Sequence, residues 1–157
     1  MSYSITTLLT RNLQDVFGEN DPARRRAALD ELYTEDGVFY DPNKGAYRGR
    51  DEIDPVRRRK AIEEIWHEDG VFYDPNSGPH RGRDEIDRIA GKVKATHPDF
   101  RYQPISAPEE IGDAGRVRWV SGTPGKLPEY AGTDFLVARD GKIAAVYMFF
   151  DALPKLG

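Results

Sequence analysis

Residues 54–86 read DPVRRRKAIEEIWHEDGVFYDPNSGPHRGRDEI, and residues 21–53, directly before them, read DPARRRAALDELYTEDGVFYDPNKGAYRGRDEI. The two segments differ at ten of 33 aligned positions, and most of the differences are conservative. Solenoid proteins need three or more repeats to bury their faces, so two copies in a longer chain indicate a duplicated segment. We therefore predict one domain over residues 1–157, with 21–53 and 54–86 as a tandem pair inside it. The near-identity of the copies is compatible with a recent or an engineered origin.

Each copy has the pattern of a helix followed by a short strand. In the second copy, Asp54 is the expected N-cap and Pro55 the first helical residue. The sequence VFYD, rich in β-branched and aromatic residues, predicts the strand. The apolar positions at helical spacing before it are Ala61, Ile62, Ile65 and Trp66.

The join between the copies constrains how both can fold. A residue before proline avoids the helical region, so a helix that begins in the first GRDEI is not expected to continue through Pro55. Continuing it would also place Arg57 and Lys60 where the helix after the second copy has Ala90 and Val93. Three arrangements stay open: one copy is appended, the copies compete for one position, or the spare copy docks into a neighbouring chain. An appended or exchanged unit fits the join best.

The remaining sequence predicts helices first and strands afterwards. Helical spacing of apolar residues covers 4–18, and Asp84 begins another helix that closes near residue 97. Alternating segments at 100–107, 110–121, 131–139 and 142–151 predict strands, and RDGK at 139–142 predicts a tight hairpin turn. This order is typical of an α+β fold with a mostly antiparallel sheet.

The composition disfavours several classes of protein. The net charge is −4 and the pI about 5.4, which argues against nucleic-acid binding, and the basic runs at 24–26 and 57–60 fit solvated helix faces. The longest apolar run, 143–150, is far shorter than the roughly 20 residues that span a membrane, and the first residues do not read as a signal peptide. The chain has no cysteine. We expect a cytoplasmic protein with no membrane or nucleic-acid partner.

Three motifs carry a family resemblance: EDGVFYDP at 68–75, RGRDEI at 81–86 and GTDFLVARDGKI at 132–143. With one copy set aside, the chain resembles the NTF2-like superfamily, and within it the SnoaL-like group related to polyketide cyclases and ketosteroid isomerases. The resemblance implies a cone in which a curved sheet, wrapped by helices, encloses a pocket. It also implies a second subunit against the sheet, so a homodimer is expected, with domain swapping as a variant.

The same resemblance implies carboxylates as proton carriers. In the ketosteroid-isomerase branch, the aspartate of a strand-ending Asp-Pro is the general base; Asp74 occupies that place and Asp41 is its duplicate. SnoaL-like cyclases use a pocket aspartate, and Asp134 in AGTDF is the matching residue. Burial raises the pKa of such a carboxyl group toward the working pH. The alternatives are an ordinary turn at Asp74 and an ion pair with Arg118 for Asp134.

His80 is a third candidate for proton transfer. It would act as a pocket base or pair with Asp74, or else lie in a surface loop, and Tyr47 is its counterpart in the first copy. The isomerase pattern also includes a tyrosine on the first helix. Tyr3 lies too early to match, so steroid isomerisation is not expected.

Aromatic residues on the predicted strands are the candidates for ligand binding. Alternate residues of a strand face opposite sides, so only some of them can face a pocket for a ring-shaped or acyl ligand. The alternative is packing under helices or in a dimer interface. The candidates are Phe72, Trp119, Tyr130, Tyr147 and Phe149, with Phe135 beside them on the same strands.

No metal or cofactor is expected. DPNSG at 74–78 begins like a calcium loop but lacks the later ligands, and the three histidines have no ligand spacing. Two functions remain open. One is cofactor-free acid–base isomerisation, cyclisation or dehydration of an apolar carbonyl compound. The other is a non-catalytic ligand-binding or dimerisation scaffold, including an engineered variant that carries the duplicated segment without activity.

Overall fold

The computed structural model describes residues 3–14, 38–41, 45–48 and 50–154, with side chains in 3–14 and 55–154. Its helices are α1 (Ile5–Arg11), α2 (Arg50–Ile65) and α3 (Gly82–Thr96). Its strands are β1 (Val38–Asp41), β2 (Gly45–Arg48), β3 (Trp66–Asp74), β4 (Gly78–Arg81), β5 (Arg101–Pro104), β6 (Glu109–Ile111), β7 (Ala114–Gly122), β8 (Tyr130–Arg139) and β9 (Lys142–Phe150).

Seven strands form one sheet in the order β4-β3-β9-β8-β7-β5, with β6 also paired to β7. Each pair in it is antiparallel except β3 with β9. The parallel pair joins the hairpin that precedes α3 to the last strand of the chain. These features confirm the predicted α+β fold with a mostly antiparallel sheet. The turn between β8 and β9 has positive φ at Asp140 (53°) and Gly141 (73°), as a two-residue hairpin of type I′ requires.

The hydrophobic core lies between the helices and one face of the sheet. Strand register puts Phe72 opposite Val146, Leu136 opposite Val146, and Asp134 opposite Met148, so these side chains share that face. We call it the inner face and the opposite side the outer face. The helices contribute Leu8 and Leu9 from α1, Ala61, Ile62 and Ile65 from α2, and Ile86, Ile89 and Ala90 from α3.

Helix α2 begins at Arg50 and runs through Pro55 to Ile65, so the predicted start at Asp54 is wrong. Proline inside a helix removes one backbone N–H and crowds the preceding turn. A residue before proline disfavours the helical conformation but can still adopt it. Here the helix continues through Asp54 and Pro55 to the turn that buries Ile62 and Ile65. As a result a helix begins within GRDEI in both copies, α2 at Arg50 and α3 at Gly82.

The predicted strand at 110–121 is also corrected. It is divided into β6 and β7 by a tight turn at Gly112 and Asp113, where Gly112 has a φ of +56°. An L-residue with a side chain is disfavoured in this left-handed conformation, which glycine adopts without penalty. Residues 15–18 of the predicted first helix and the predicted helix after Asp21 lie outside the described residues.

The two copies form the same hairpin but occupy different places. In the second copy Val71 pairs with Arg81 and Asp74 with Gly78, and these strands belong to the seven-stranded sheet. In the first copy the pairs 38–48 and 41–45 repeat this register 33 residues earlier, in a separate two-stranded sheet. Among the described residues, the second copy therefore supplies the hairpin of the seven-stranded sheet and the first copy forms a hairpin apart from it. The helix after the second copy supplies fully buried Ala90, where the helix after the first would place Arg57.

Candidate active site

Asp134 lies in the middle of β8 on the inner face and is 5% exposed. Trp119 on β7 donates an Nε1–H hydrogen bond to its Oδ1 at 2.9 Å. Burial raises the pKa of Asp134 to about 7, although the tryptophan N–H favours the charged form and acts in the opposite direction. A carboxyl group with this pKa can both accept and release a proton at neutral pH.

Gly132 makes room for the tryptophan. It pairs with Trp119 across β7 and β8, and a Cβ added at Gly132 would lie 2.4 Å from Trp119 Cζ2 and 2.8 Å from the Phe149 carbonyl oxygen. Residues two apart on a strand share a face, so Gly132 and Asp134 both point inward. The G-x-D motif thus has a physical explanation. The missing side chain at Gly132 leaves space for the Trp119 indole, and the indole N–H then reaches Asp134.

Tyr102 is a residue of this site that the sequence did not reveal. It lies on β5 opposite Ser121, and its ring meets Trp119 edge to face with 4.9 Å between ring centroids. Burial, followed by the negative charges of Asp134 and Asp74, raises the pKa of its hydroxyl group well above the ordinary value. The hydroxyl therefore stays protonated and able to donate a hydrogen bond. The sequence signal for Tyr102 was its place in the alternating pattern of the predicted strand, among the residues that face inward.

Asp74 ends β3 on the same face as Phe72. It forms the ordinary turn that the sequence offered as the alternative to a catalytic role. Its Oδ1 accepts the backbone N–H groups of Asn76 at 2.7 Å and Ser77 at 2.9 Å. Asp41, its duplicate, ends β1 in the separate hairpin, so the structure does not bring Asp41 into the seven-stranded sheet.

His80 lies on strand β4 and is 6% exposed, so the expectation of a surface loop is wrong. Its Nε2 shares a hydrogen bond with Ser77 Oγ at 2.8 Å, and its Nδ1 lies 3.6 Å from Glu85 Oε2. Serine, histidine and carboxylate stand in the order of a hydrolytic triad. Two features argue against a hydrolytic site. The backbone N–H groups of the turn, which would have to stabilise an oxyanion, already donate to Asp74, and the Glu85 carboxylate is already paired with Arg88 at 2.8 Å.

Arg118 does not pair with Asp134. It stands opposite Thr133 on the outer face, with its Nε 4.0 Å from Asp151 Oδ2, whereas Asp134 is opposite Val117. The ion-pair alternative for Asp134 is therefore wrong. The physical reason is the two-residue period of the strand, which separates neighbouring positions onto opposite faces.

The aromatic candidates divide between the two faces. Phe72 and Trp119 are buried on the inner face, and Tyr130 lies at the inner-face end of β8. Tyr147 and Phe149 flank Met148, which is opposite Asp134, so both point to the outer face and their assignment to the pocket is wrong. There Tyr147 stacks on Tyr73 at 4.5 Å and Phe149 meets Phe135 edge to face at 5.9 Å.

A surface depression of about 180 Å³, open to solvent, lies beside the turn that follows Asp74. It is large enough for a small organic group and has one wall from Tyr130 and Phe150, which pack with ring centroids 6.0 Å apart. The lining residues are Asn76, Glu129, Tyr130, Ala131, Phe150, Asp151 and Leu153. Within the described ranges, no group of three or more metal-ligating side chains comes together.

None of the described helices is both long and apolar enough to cross a membrane. The helices instead present mixed surfaces, with a buried stripe such as Ile86, Ile89 and Ala90 on α3.

The sequence matches the family profile of the SnoaL-like domain over residues 56–146. The matched range begins in the second copy and ends in β9, so it contains Asp74, His80, Tyr102, Trp119 and Asp134. The first copy lies outside it. No match is found among curated proteins.

Several solved structures share the fold. A candidate isomerase of the SnoaL-like family from Agrobacterium tumefaciens is 24% identical, with a TM-score of 0.59 over 62% of this chain and 84% of that one. A candidate polyketide cyclase from Sinorhizobium meliloti is 22% identical, with a TM-score of 0.50 over 63% and 94%. A protein with a ketosteroid isomerase-like fold from Catenulispora acidiphila, in complex with trimethylamine, is 18% identical, with a TM-score of 0.51 over 59% and 75%.

Proposed function

The chain belongs to the SnoaL-like domain family, and from this premise we propose that it binds a small apolar carbonyl compound and transfers a proton on it without a cofactor. The observation that carries this function is the buried Asp134, held by Trp119 and with a pKa raised to about 7. Proton abstraction next to a carbonyl is the shared first step of isomerisation, aldol cyclisation and dehydration.

Each group has a defined role in this step. The Asp134 carboxylate removes a proton from the carbon next to the carbonyl, and the electron pair moves toward the carbonyl oxygen. The neutral Tyr102 hydroxyl, on the same wall, donates a hydrogen bond to that oxygen as its charge grows. The resulting enolate is then protonated at another carbon, attacks a second carbonyl, or expels a hydroxyl group. Asp134 returns its proton to the product, so no external oxidant or reductant is needed.

Other inner-face residues complete the proposed site. Phe72 and Trp119 provide apolar surface against the substrate, and Tyr130 extends this surface toward the depression. We assign Asp74 and His80 to the same wall as secondary proton carriers, since both lie on the inner face of the β3–β4 hairpin. Exclusion of water by such a wall strengthens the electrostatic contribution of Asp134 and Tyr102.

Hydrogen–deuterium exchange tests the reaction without knowledge of the natural substrate. A panel of enolisable cyclic and acyl ketones is incubated in D₂O with the protein, and NMR follows loss of the proton next to the carbonyl. We expect acceleration by the wild type and a loss of about 10²- to 10⁴-fold in Asp134→Asn. Asp113→Asn, an exposed carboxylate in the β6–β7 turn, is the matched control. Exchange that is unchanged in Asp134→Asn would refute this function.

A scaffold function is supported by a different observation on the outer face. Four large apolar side chains there are between 39% and 53% exposed, although an isolated soluble domain rarely keeps a contiguous apolar patch. We propose that a second copy of the chain packs on this patch to form a homodimer. Light scattering at micromolar concentration tests it, and a monomer would refute it. The patch consists of Phe135, Val137, Tyr147 and Phe149.

We also propose that residues 21–53 arose by duplication of the segment at 54–86. The second copy falls almost entirely within the range that the family profile matches, whereas the first falls outside it. A variant that lacks residues 21–53 is expected to fold and to keep the exchange activity, because the seven-stranded sheet takes its β3–β4 hairpin from the second copy. Failure of this variant to fold would argue against an added unit.

A further inference from the structure

The first and second hairpins have matching backbones and matching contact residues. Pairs 38–48, 39–47, 40–46 and 41–45 in the first correspond to 71–81, 72–80, 73–79 and 74–78 in the second, always 33 residues apart. The residues that pair with β9 in the second copy are Trp66, Val71, Phe72 and Tyr73. The first copy has the same valine, phenylalanine and tyrosine at 38–40, and it has Tyr33 in place of Trp66.

The first hairpin has unused pairing capacity. Among the described strands, β1 and β2 pair only with each other, and a two-stranded hairpin alone is marginally stable in water. The equivalent β3 gains a parallel partner, β9, and buries Phe72 against the core. From these observations we propose that the β9 edge accepts either hairpin, and that the first hairpin of the same chain exchanges with the second at this position.

The connections of the chain permit this exchange. In the described arrangement the additional 33 residues lie between α1 and the buried part of α2. In the exchanged arrangement an insertion of the same length lies between β2 and α3, and α3 keeps Ile86, Ile89 and Ala90 in the core. Helix α2, which is continuous with β3, leaves the core with the second hairpin, and Ala28, Leu29 and Leu32 are the sequence counterparts of its buried Ala61, Ile62 and Ile65. Because the inserted lengths are equal, the entropy of loop closure nearly cancels between the two arrangements. A segment of the same chain also has an effective concentration in the millimolar range, far above that of a second chain.

Two contacts favour the second copy. Trp66 is fully buried and donates its Nε1–H to Asn12 Oδ1 at 2.9 Å, whereas the first copy has Tyr33 at this position. Buried His80 is hydrogen-bonded to Ser77, whereas the first copy has Tyr47 and Lys44. The exchanged arrangement is therefore the minor one, at about 0.1–10% of molecules. It replaces His80 with a tyrosine in the hairpin, so the exchange alters the wall of the proposed site.

Engineered cysteines report the exchange cleanly because the chain has none of its own. Val71 and Ala145 are neighbours across β3 and β9, at a spacing that a disulfide can bridge. The pair Val71→Cys/Ala145→Cys reports the described arrangement, and Val38→Cys/Ala145→Cys reports the exchanged one. With oxidised glutathione as the oxidant, peptide mapping by mass spectrometry identifies the bridge.

We expect the Val38→Cys/Ala145→Cys protein to form an intrachain disulfide, about 10- to 1000-fold more slowly than the first pair. Adding Trp66→Tyr and His80→Tyr, which removes the two favourable contacts, is expected to raise this rate by about tenfold. Adding Phe39→Asp is expected to abolish it, because the exchanged hairpin would bury a carboxylate where Phe72 is 3% exposed.

The pair Val38→Cys/Val137→Cys, at the same register but one strand further away, sets the background. Val137 lies on β8, one strand beyond Ala145, too far from the docked hairpin for a disulfide. A bridge at Ala145 that forms no faster than this control would overturn the exchange. A crosslinked dimer in place of a crosslinked monomer would overturn the same-chain assignment. Both readouts are independent of catalytic activity.

Discussion

Asp134→Asn is predicted to make the protein more stable at neutral and alkaline pH, whatever its effect on catalysis. Burial raises the pKa of Asp134 from an ordinary 3.8 to about 7, so the folded state holds a proton that the unfolded chain releases. The stabilisation from this proton is complete below pH 3.8 and is lost as the pH rises through about 7. The pKa difference corresponds to about 4 kcal/mol of unfolding free energy.

Asparagine is a neutral group of nearly the same shape, and its side-chain oxygen can still accept the Trp119 Nε1–H bond. The variant should therefore match the wild type near pH 4, where native Asp134 is protonated. Above pH 8 it should exceed the wild type by about 4 kcal/mol, because the wild type then carries a buried charge. Between these limits the difference should rise steadily with pH.

Urea denaturation of both proteins from pH 4 to 9 measures this difference. Subtracting the two profiles removes the contributions of other titrating groups, since they are common to both proteins. Asp113→Asn, at an exposed turn, should follow the wild type across the range. Parallel profiles for Asp134→Asn and wild type would refute the assignment of a raised pKa to this residue, and with it the basis of the proposed chemistry.

Gly132→Ala should cost about 1–3 kcal/mol in urea denaturation, because its Cβ would meet Trp119 at 2.4 Å; a cost below 0.5 kcal/mol would contradict the role of Gly132 in leaving space for the indole. Tyr102→Phe should lower the ketone exchange rate by about 10²- to 10³-fold with little change in stability, and an unchanged rate would remove it from the site. Phe149→Glu on the outer face should convert the dimer into monomers in light scattering without loss of exchange activity, whereas an unaltered mass would exclude this face. The exchange rate of the wild type should rise with pH around an apparent pKa near 7, and a flat profile would argue against Asp134 as the base.

The sequence was sufficient for local features whose causes are short-range. The turn at Asp140 and Gly141, the apolar stripe of α3 and the Asp74 turn all depend on residues within a few positions of each other. Prediction was weaker where local signals competed. The bias before Pro55 was overridden in α2, and a single predicted strand concealed the turn at Gly112.

The face to which each aromatic residue points required the register of the sheet. Tyr147 and Phe149 carry the same local signal as Trp119, yet a shift of one residue moves a side chain to the opposite face. Tyr102 escaped notice for the same reason, since its approach to Trp119 depends on pairing between β5 and β7.

The amino-acid sequence by itself determined the class of fold, the presence of two near-identical hairpin units and the aspartates available for proton transfer. Only the tertiary structure decided which hairpin pairs with β9, which aspartate is buried beside an indole, and which aromatic residues surround it. The physical reason is the separation along the chain of the residues that determine each feature. Turns and helical stripes are set by neighbours along the chain, whereas burial, and the pKa shift that follows from it, is set by residues that meet only after the chain has folded.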